Sequence, residues 1–417
     1  MKKLTVLAIL LPAGALANGY DVPNVNPRDL ALSGSAVAAQ RDAAAAYANP
    51  AALSRVEGVS LSLSLAYLDL EARWEGPPTS PFPGATASTK FRPVPPVSLF
   101  AAYGFKLGER NAGVGFGANV PGGGNVYWQN DWEGRGRIIT VNRKVYGLYL
   151  TGGYEIIPQV RVGGGLVYYY TAEYLKQGIQ PSTESFGELS TRGGGFAFDV
   201  AAEIKPISSV PLTFGVDYKY RGRMVLEGDG RFVVPGGFLQ PDPLDPSAAP
   251  PVDQNVRHVL TFPDVLHLGV AYRVIEPLQL TFDYTWNNYS VYQNDVFEGD
   301  RGTTITVQRG YDDGHTFRFG AEYDPLPRLQ VRAGFLRDLS GLDANRYSPT
   351  LPDGNVWAAS FGAGYTLRSD LTLNGALFYT WFDKVRQLSD QELRGIYDTR
   401  VYIVSLGFTW RTDLGGR

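Results

Sequence analysis

Along most of the chain, apolar and polar side chains alternate with a period of two, as LQLTFDYTW at residues 278–286 illustrates. Its Leu, Phe, Tyr and Trp side chains share one face of an extended strand, and its Gln, Thr and Asp side chains share the other. Residues 194–204, 212–220 and 316–323 repeat this arrangement, with the charged residues always opposite the aromatic ones. This pattern indicates strands that separate a polar barrel lumen from lipid.

The alternating segments number 14, and bacterial transmembrane barrels have an even number of strands. They lie near residues 58–75, 93–107, 111–121, 137–156, 159–175, 192–205, 210–227, 257–274, 278–293, 314–323, 328–338, 355–367, 371–385 and 398–411. Six short turns alternate with seven long loops, as required if both termini lie on the periplasmic side. We therefore predict an all-β fold, a 14-stranded antiparallel transmembrane β-barrel over residues 58–411, followed by a polar tail at 412–417.

The first 17 residues, MKKLTVLAILLPAGALA, are typical of a secretory signal peptide. Two lysines precede a short apolar core, and a small-x-small sequence ends it. A buried N-terminal helix is the alternative, which Pro12 and Gly14 disfavour. No later segment has 18 unbroken apolar residues, so we expect no transmembrane helix.

Residues 18–57 are predicted to form a hatch inside the barrel. A 14-stranded barrel is wider than the roughly 8-stranded barrels that side chains can fill, so an open lumen would leak. The small residues from Ala43 to Ala52 suit close packing against a wall, and the Asn49-Pro50-Ala51 sequence ends any helix begun at Asp42. Asn49, Pro50 and Ala51 are therefore the candidate hatch residues.

Composition excludes several other classes of protein. The chain has 49 Gly, 25 Tyr, no Cys and a formal net charge of -3, which argues against a nucleic-acid binder and against a disulfide-stabilised secreted domain. Only three His are present, without paired spacing, so no metal site and no cofactor is expected. A membrane hydrolase is the rival enzyme class. His258 shares the predicted lipid-facing parity of Leu266 and Leu268, but no serine is suitably placed beside it, and we expect no catalysis.

The sequence resembles the FadL family of outer-membrane transporters for hydrophobic compounds. The resemblance is carried by ALSGSAVAAQRDAAAAYANPAAL at 31–53, by FPDVLHLGVAYRVIEPLQLTFDYTWNNYSVY at 262–292, and by LQVRAGFLRD at 329–338 with SPTLPDGNVWAASFGAGYTL at 348–367. It implies uptake of long-chain fatty acids or other apolar molecules without energy coupling. It also implies capture by the outer loops, a pocket in the lumen and sideways exit where the third strand kinks.

The third strand offers two candidate positions for that kink. Pro121 removes a ladder donor and Gly122 follows it, so strand pairing should be weak there. An ordinary loop start after Val120 is the alternative. The opening could also lie lower on the strand, at Gly113, Gly115 and Gly117.

Candidate ligand contacts lie in the lumen and on an outer loop. Lys219 and Arg318 are inward-facing cations near the predicted midplane, and either could pair with a fatty-acid carboxylate. Neighbouring carboxylates could instead claim both cations, as buried cations normally require. The apolar cluster of the 228–256 loop, including Phe232, Phe238 and Leu239, could meet a hydrophobic ligand or simply cap the barrel mouth.

The expected partners follow from this assignment. They are a hydrophobic small molecule, either fatty acid or aromatic, together with outer-membrane lipid, lipopolysaccharide and the barrel assembly machinery, and no nucleic acid. We expect a monomer that crosses the outer membrane of a Gram-negative bacterium many times. The sequence leaves two alternatives open, namely uptake of aromatic hydrocarbons and a structural or assembly role without transport.

Overall fold

The computed structural model describes residues 21–90, 92, 95–179, 183–235, 252–302 and 304–412. The predicted signal peptide therefore lies outside the described residues, as do Phe238, Leu239 and all of the tail beyond Thr412. The described chain forms a closed antiparallel barrel of 14 wall strands. Closure is direct, because the first strand pairs with the last over its whole length, for example Leu65 with Leu406.

The wall strands follow the predicted order closely. They are β1 Gly58–Glu75, β2 Val97–Leu107, β3 Arg110–Tyr127, β4 Thr140–Ile157, β5 Val160–Gly178, β6 Phe186–Ile204, β7 Leu212–Lys219 with Gly222–Val233, β8 Gln254–Phe262 with Val265–Ile275, β9 Leu278–Asn287, β10 Gly314–Leu326, β11 Leu329–Leu339, β12 Val356–Arg368, β13 Leu371–Phe382 and β14 Gly395–Thr412. Short strands in the connections are Thr86–Ser88, Asn294–Gly299, Thr304–Gln308 and Val385–Gln387. Six turns join the strands at one end of the barrel, the short-turn end, and seven connections join them at the other, the long-loop end.

The two faces of the wall differ as the alternation predicts. On β14, Leu406 is 66% exposed whereas its neighbour Ser405 is fully buried in the interior. Exposed Leu, Val, Phe and Tyr side chains recur on the outer face of every wall strand. A surface this apolar is suited to lipid rather than water. Among the described residues, no helix has the length and hydropathy needed to cross a bilayer.

The segment from Asp21 to Glu57, called the hatch below, packs against inward-facing groups around the barrel. It contains α1 Pro27–Ala31, α2 Ala45–Ala48 and a 3₁₀ helix Pro50–Arg55. Asn26 caps α1 by accepting from the backbone N–H of Arg28, which supplies the acceptor that a helix start needs. Hatch groups bond to several wall strands. These include Asn26 to Ser62 on β1 (3.0 Å), Arg28 to Glu322 on β10 (3.1 Å), Ser33 with Ser360 on β12 (2.8 Å) and Val37 N–H to Asp283 on β9 (3.0 Å).

Four wall glycines let the hatch backbone between Pro50 and Val56 touch the wall backbone. We call Gly104, Gly113, Gly153 and Gly163 the glycine floor. A Cβ built on any of them would lie 1.7 to 2.4 Å from a hatch backbone atom between Pro50 and Val56. Such distances are far inside van der Waals contact. The segment from Pro50 to Val56 therefore packs directly against the wall backbone at these four positions.

The strands β7 and β8 are each interrupted at the same height. Their ladder stops at Lys219 with Val265 and resumes at Gly222 with Phe262. On both strands, the buried residues have odd numbers on the side of the interruption nearer the short-turn end. They have even numbers on the side nearer the long-loop end. The predicted lipid-facing position of His258 was wrong for this reason, since its side chain is fully buried inside the barrel.

Candidate functional site

A cavity of about 110 Å³ lies between the hatch and the wall. The hatch contributes residues from Asp21 to Ala48, and the wall contributes side chains from β3, β4, β5, β7, β8, β10, β11 and β13. Lys219 and Arg318, the two cations singled out from the sequence, both line it. The fold thus brings together two residues that are about one hundred positions apart in the chain.

Lys219 is already paired with carboxylates. Its ammonium contacts Asp217 and lies 3.4 Å from a carboxylate oxygen of Asp199, and its side chain is 8% exposed. The ammonium also lies 5.1 Å from the ring centroid of Tyr47 on the hatch. Two carboxylates on one buried cation leave no positive charge for a ligand, so the alternative interpretation of Lys219 fits the geometry better.

Arg318 has a different environment. Its guanidinium donates to the hydroxyl of Thr285, and no carboxylate of the described residues lies within ion-pair distance of it. Asp283, which faces Arg318 across the ladder, instead accepts from the backbone N–H of Val37 at 3.0 Å. Arg318 therefore brings a positive charge to the cavity that no direct ion pair balances.

The rest of the cavity combines aromatic rings with a small polar group. Tyr47, Tyr149, Tyr169, Phe262 and Phe378 supply the aromatic part. Nδ1 of His267 lies 2.9 Å from the Thr285 hydroxyl, so His267 is a hydrogen-bonded residue of the lumen. The arrangement suits a ligand with an apolar body and one anionic or hydrogen-bonding end.

Asp21 lies at the cavity edge, where the hatch begins. Its backbone bridges to Gly122, and the adjacent Val22 N–H donates to the Pro121 carbonyl at 2.9 Å. Burial raises the pKa of the Asp21 carboxyl to about 7, although the positive charge of Arg318 opposes this rise. The ionisation of Asp21 consequently changes the field at Arg318 near neutral pH.

The Asn49-Pro50-Ala51 sequence fixes the turn between α2 and the 3₁₀ helix. Asn49 is fully buried; its side chain accepts from the Ala51 N–H at 3.1 Å and donates to the Val37 carbonyl at 2.9 Å. It also donates to the Ala202 carbonyl on β6 at 3.4 Å, which ties the hatch to the wall. Pro50 begins the 3₁₀ helix, where its missing N–H costs nothing.

The third strand continues beyond the position at which the sequence predicts its end. It runs to Tyr127, and between Asn119 and Gly122 its register with β4 shifts, so that Val120 and Pro121 face a single residue, Tyr146. Every residue from Asn119 to Val126 is buried, whereas the β2–β3 ladder reaches only to Ala118. The regular pairing of β3 with its neighbouring strands is therefore interrupted around Pro121 and Gly122.

The lower glycines of β3 lie in a continuous ladder. Gly113, Gly115 and Gly117 each pair with β2 on one side and β4 on the other. Their lack of side chains makes room for Leu53, Ala46 and the ring of Phe100. The structure gives these residues a packing role and places the interruption above them.

The outer-loop candidates do not reach the cavity in the described part of the chain. Phe232 lies near the end of β7, paired with Gly187, and its backbone N–H donates to a carboxylate oxygen of Asp253 at 2.8 Å. Phe238 and Leu239 lie outside the described residues.

A buried charge network at the long-loop end was missed by sequence reasoning. His258 lies between Glu173, 3.0 Å from Nδ1, and Asp295, 3.2 Å from Nε2, and the guanidinium groups of Arg143 and Arg309 complete the network. It ties the β9–β10 connection to β4, β5 and β8. Strand periodicity could not reveal it, because the interruption of β8 reverses the face on which His258 lies.

Comparison with known proteins agrees with this architecture. Residues 8–411 match the sequence profile of the family described as outer membrane protein transport protein (OMPP1/FadL/TodX). A putative outer membrane protein of Neisseria meningitidis serogroup B is 23% identical over 415 residues, covering 87% of this chain and 86% of that protein.

Two solved structures have the same fold at low sequence identity. A Pseudomonas aeruginosa FadL homologue superimposes with a TM-score of 0.83 at 19% identity, over 94% of this chain and 99% of that one. The Pseudomonas putida toluene transporter TodX gives a TM-score of 0.72 at 15% identity, over 96% of this chain and all of that one. A wall of 14 strands, a packed N-terminal segment and a profile match over nearly the whole sequence lead to one conclusion: the chain belongs to the FadL/TodX family of outer-membrane proteins that transport hydrophobic compounds.

Proposed function

We propose that this protein takes up long-chain fatty acids passively through the outer membrane. The short-turn end and both termini face the periplasm, and the outer loops capture the ligand. The observation that carries the proposal is Arg318, a lumen cation without a carboxylate within ion-pair distance among the described residues. A fatty-acid carboxylate that leaves water needs such a partner, because an unpaired buried charge is costly.

The proposed exit lies at the interruption of β3. Among the described residues, the ladder between β3 and β2 ends at Ala118, and Pro121 lacks the N–H that would extend it. The hatch contacts this same place through Val22, so a small displacement of the hatch would open the cavity towards lipid. Gly122 supplies backbone freedom beside the proline.

A monoaromatic ligand is the second candidate. The cavity of about 110 Å³ is close to the size of engineered cavities of about 150 Å³ that hold benzene, and five Tyr and Phe side chains line it. A complete long acyl chain would require displacement of hatch side chains. Recruitment of the barrel as a scaffold without transport remains the third candidate.

The deciding experiment compares oleate and toluene binding to Arg318→Gln and to the wild-type protein. Loss of a charge-assisted hydrogen bond of about 1.5–3 kcal/mol should weaken oleate binding by about tenfold or more and leave toluene binding unchanged. Arg223→Gln is the matched control, because Arg223 lies on the outer face of β7 and is exposed. Equal oleate affinity in all three proteins would contradict the fatty-acid assignment, and absence of binding of either ligand to the wild type would favour the scaffold.

A further inference from the structure

A concave surface that the proposed transport pathway does not use lies on the outside of the barrel. It is a depression of about 520 Å³ formed by β4, β5, β6 and β7 towards the long-loop end. Lys144, Ala172 and Arg192 lie side by side across three of these strands in a single row of the ladder. Ala172 has a short side chain, so the two longer basic side chains have open space between them.

Two cations of this row, Lys144 and Arg192, line the depression, and the described part of the chain gives neither of them an ion pair. This holds although Glu227 is the cross-strand partner of Arg192. Arg257, further along the same row, does form such a pair, with Glu298 at 3.2 Å. Strands lie about 4.8 Å apart, so Lys144 and Arg192 start about 10 Å from each other and can reach one anion together.

The row lies at the boundary between apolar and polar exterior surface. The next outward-facing pair towards the short-turn end is Tyr146 with Tyr170. Their rings stack with centroids 6.3 Å apart. Below them the outer face is apolar, with Leu150 65% and Leu166 60% exposed. From Ile156 to Tyr146, about ten residues at about 3.3 Å rise and about 40° tilt span about 25 Å, the height of a hydrocarbon band. Lys144 and Arg192 therefore lie where lipid head groups begin.

Above the cations, the depression has neutral and acidic groups instead of further basic ones. The next outward-facing row towards the long-loop end contributes Asn142, Ser190 and Asp229 to the lining. Amide, hydroxyl and carboxylate groups are suited to hydrogen-bonding sugar hydroxyls, whereas Asp229 would repel a second phosphate at that height. The depression thus has an anion-binding row below and a hydroxyl-binding row above.

We propose that this depression binds a phosphorylated glycolipid of the outer leaflet. One phosphate lies between Lys144 and Arg192, the sugar hydroxyls meet Asn142, Ser190 and Asp229, and the acyl chains follow the Tyr146–Tyr170 face. This assignment rests on the orientation given in the proposed function, in which the long-loop end faces outward. The bound lipid would hold the β4–β7 side of the barrel at a fixed height in the membrane.

The test uses full-length protein refolded from denaturant, and therefore free of outer-membrane lipid, with lipid A as the probe. Native mass spectrometry should show one tightly bound bisphosphorylated lipid A on the wild type. The Lys144→Gln/Arg192→Gln variant should bind it at least tenfold more weakly. Lys106→Gln/Arg328→Gln is the control, since both residues are exposed cations near the short-turn end. Heat-modifiable gel migration checks that every variant is folded.

Three results would overturn the proposal. They are wild-type affinity in the Lys144→Gln/Arg192→Gln variant, equal binding of phosphatidylglycerol and lipid A, and displacement of lipid A by millimolar inorganic phosphate, which would indicate a simple phosphate site. Dephosphorylated lipid A should bind the wild type as weakly as bisphosphorylated lipid A binds the variant. Oleate binding, measured on the same samples, should be equal in all of them, so failure of the lipid A site and failure of the transport assignment are distinguishable.

Discussion

The side chain of Arg318 lies against the backbone of Gly34: a Cβ on Gly34 would be 3.3 Å from both Cδ and Nε of the arginine. Gly34 has a φ of 81°, a conformation that other residues rarely adopt. The hatch thus positions Arg318 in the cavity through Gly34, a residue without a side chain.

Replacement of Gly34 by Ala should therefore disturb ligand binding more than folding. The added methyl group displaces the Arg318 side chain and should weaken oleate binding by at least about fivefold, whereas backbone strain of about 1–2 kcal/mol lowers the stability of free and bound protein alike. Gly84→Ala is the matched control, because Gly84 has a φ of 76° but no atom within 4 Å of the added Cβ. If both variants bind oleate like the wild type, Gly34 does not position Arg318.

Oleate affinity should depend on pH through Asp21. Because its folded pKa is raised to about 7, Asp21 is mostly ionised at pH 8 and mostly neutral at pH 6. The ionised form attracts Arg318 and repels a ligand carboxylate, so affinity should rise as the pH falls from 8 to 6. Because the folded pKa lies above the ordinary value of 3.8, the contribution of Asp21 to stability is fully present below about pH 4 and is lost as the pH rises from there through about 7.

Asp21→Asn is the variant that isolates this effect. It should bind oleate at pH 8 about as well as the wild type does at pH 6, and any remaining pH dependence belongs to the ligand. Titration by fluorescence quenching at several pH values provides the comparison. Parallel pH profiles for the two proteins would remove Asp21 from the explanation.

Deletion of residues 21–55 should open the pore. Ala43, Ala44, Ala45 and Ala46 are at most 1% exposed, and the glycine floor contacts the hatch backbone, so the hatch is closely packed in the lumen. We expect large, steady single-channel conductance in planar bilayers from the deletion variant and little from the intact protein. Similar conductance from both would show that something other than the hatch closes the lumen.

Deletion of Pro121 alone should close the proposed exit. Val120 and Pro121 face one residue of β4, so removal of one of them restores a one-to-one ladder. The barrel should still assemble, as judged by heat-modifiable migration, while growth on oleate as carbon source should be strongly reduced. Deletion of Ser208, in the β6–β7 turn, is the control for loss of a single residue. Normal growth of the Pro121 deletion would place the exit elsewhere.

Periodicity alone predicted most of the wall, because each strand buries one face and exposes the other. The first strand has the bounds expected from its alternation, Gly58–Glu75. The third strand exceeded its expected end because Pro121 and three following glycines are typical of a loop, whereas here the hatch at Asp21 and Val22 supplies the missing backbone partners. That contact joins residues about one hundred positions apart and leaves no local signal.

The candidate site was predicted in part for a similar reason. Inward parity identified Lys219 and Arg318, but parity does not determine which carboxylate each cation reaches. Asp199 and Asp217 converge on Lys219, while Asp283 turns to the hatch backbone and leaves Arg318. Periodicity placed His258 on the wrong face, because the interruption of β8 reverses the inward and outward positions beyond it.

The glycine floor restricts the amino-acid substitutions that the wall can accept. Surface positions in a barrel lumen ordinarily accept many substitutions, but Gly104, Gly113, Gly153 and Gly163 have no room for even a methyl group. Substitutions in Ala43–Ala46 that keep their small volume should be tolerated, whereas a methyl group on any of these four wall positions would dislodge the hatch. In a relative of this chain that has no hatch, the equivalent wall positions would be free to carry bulky residues. Bulky residues at these positions would therefore indicate that the hatch has been lost.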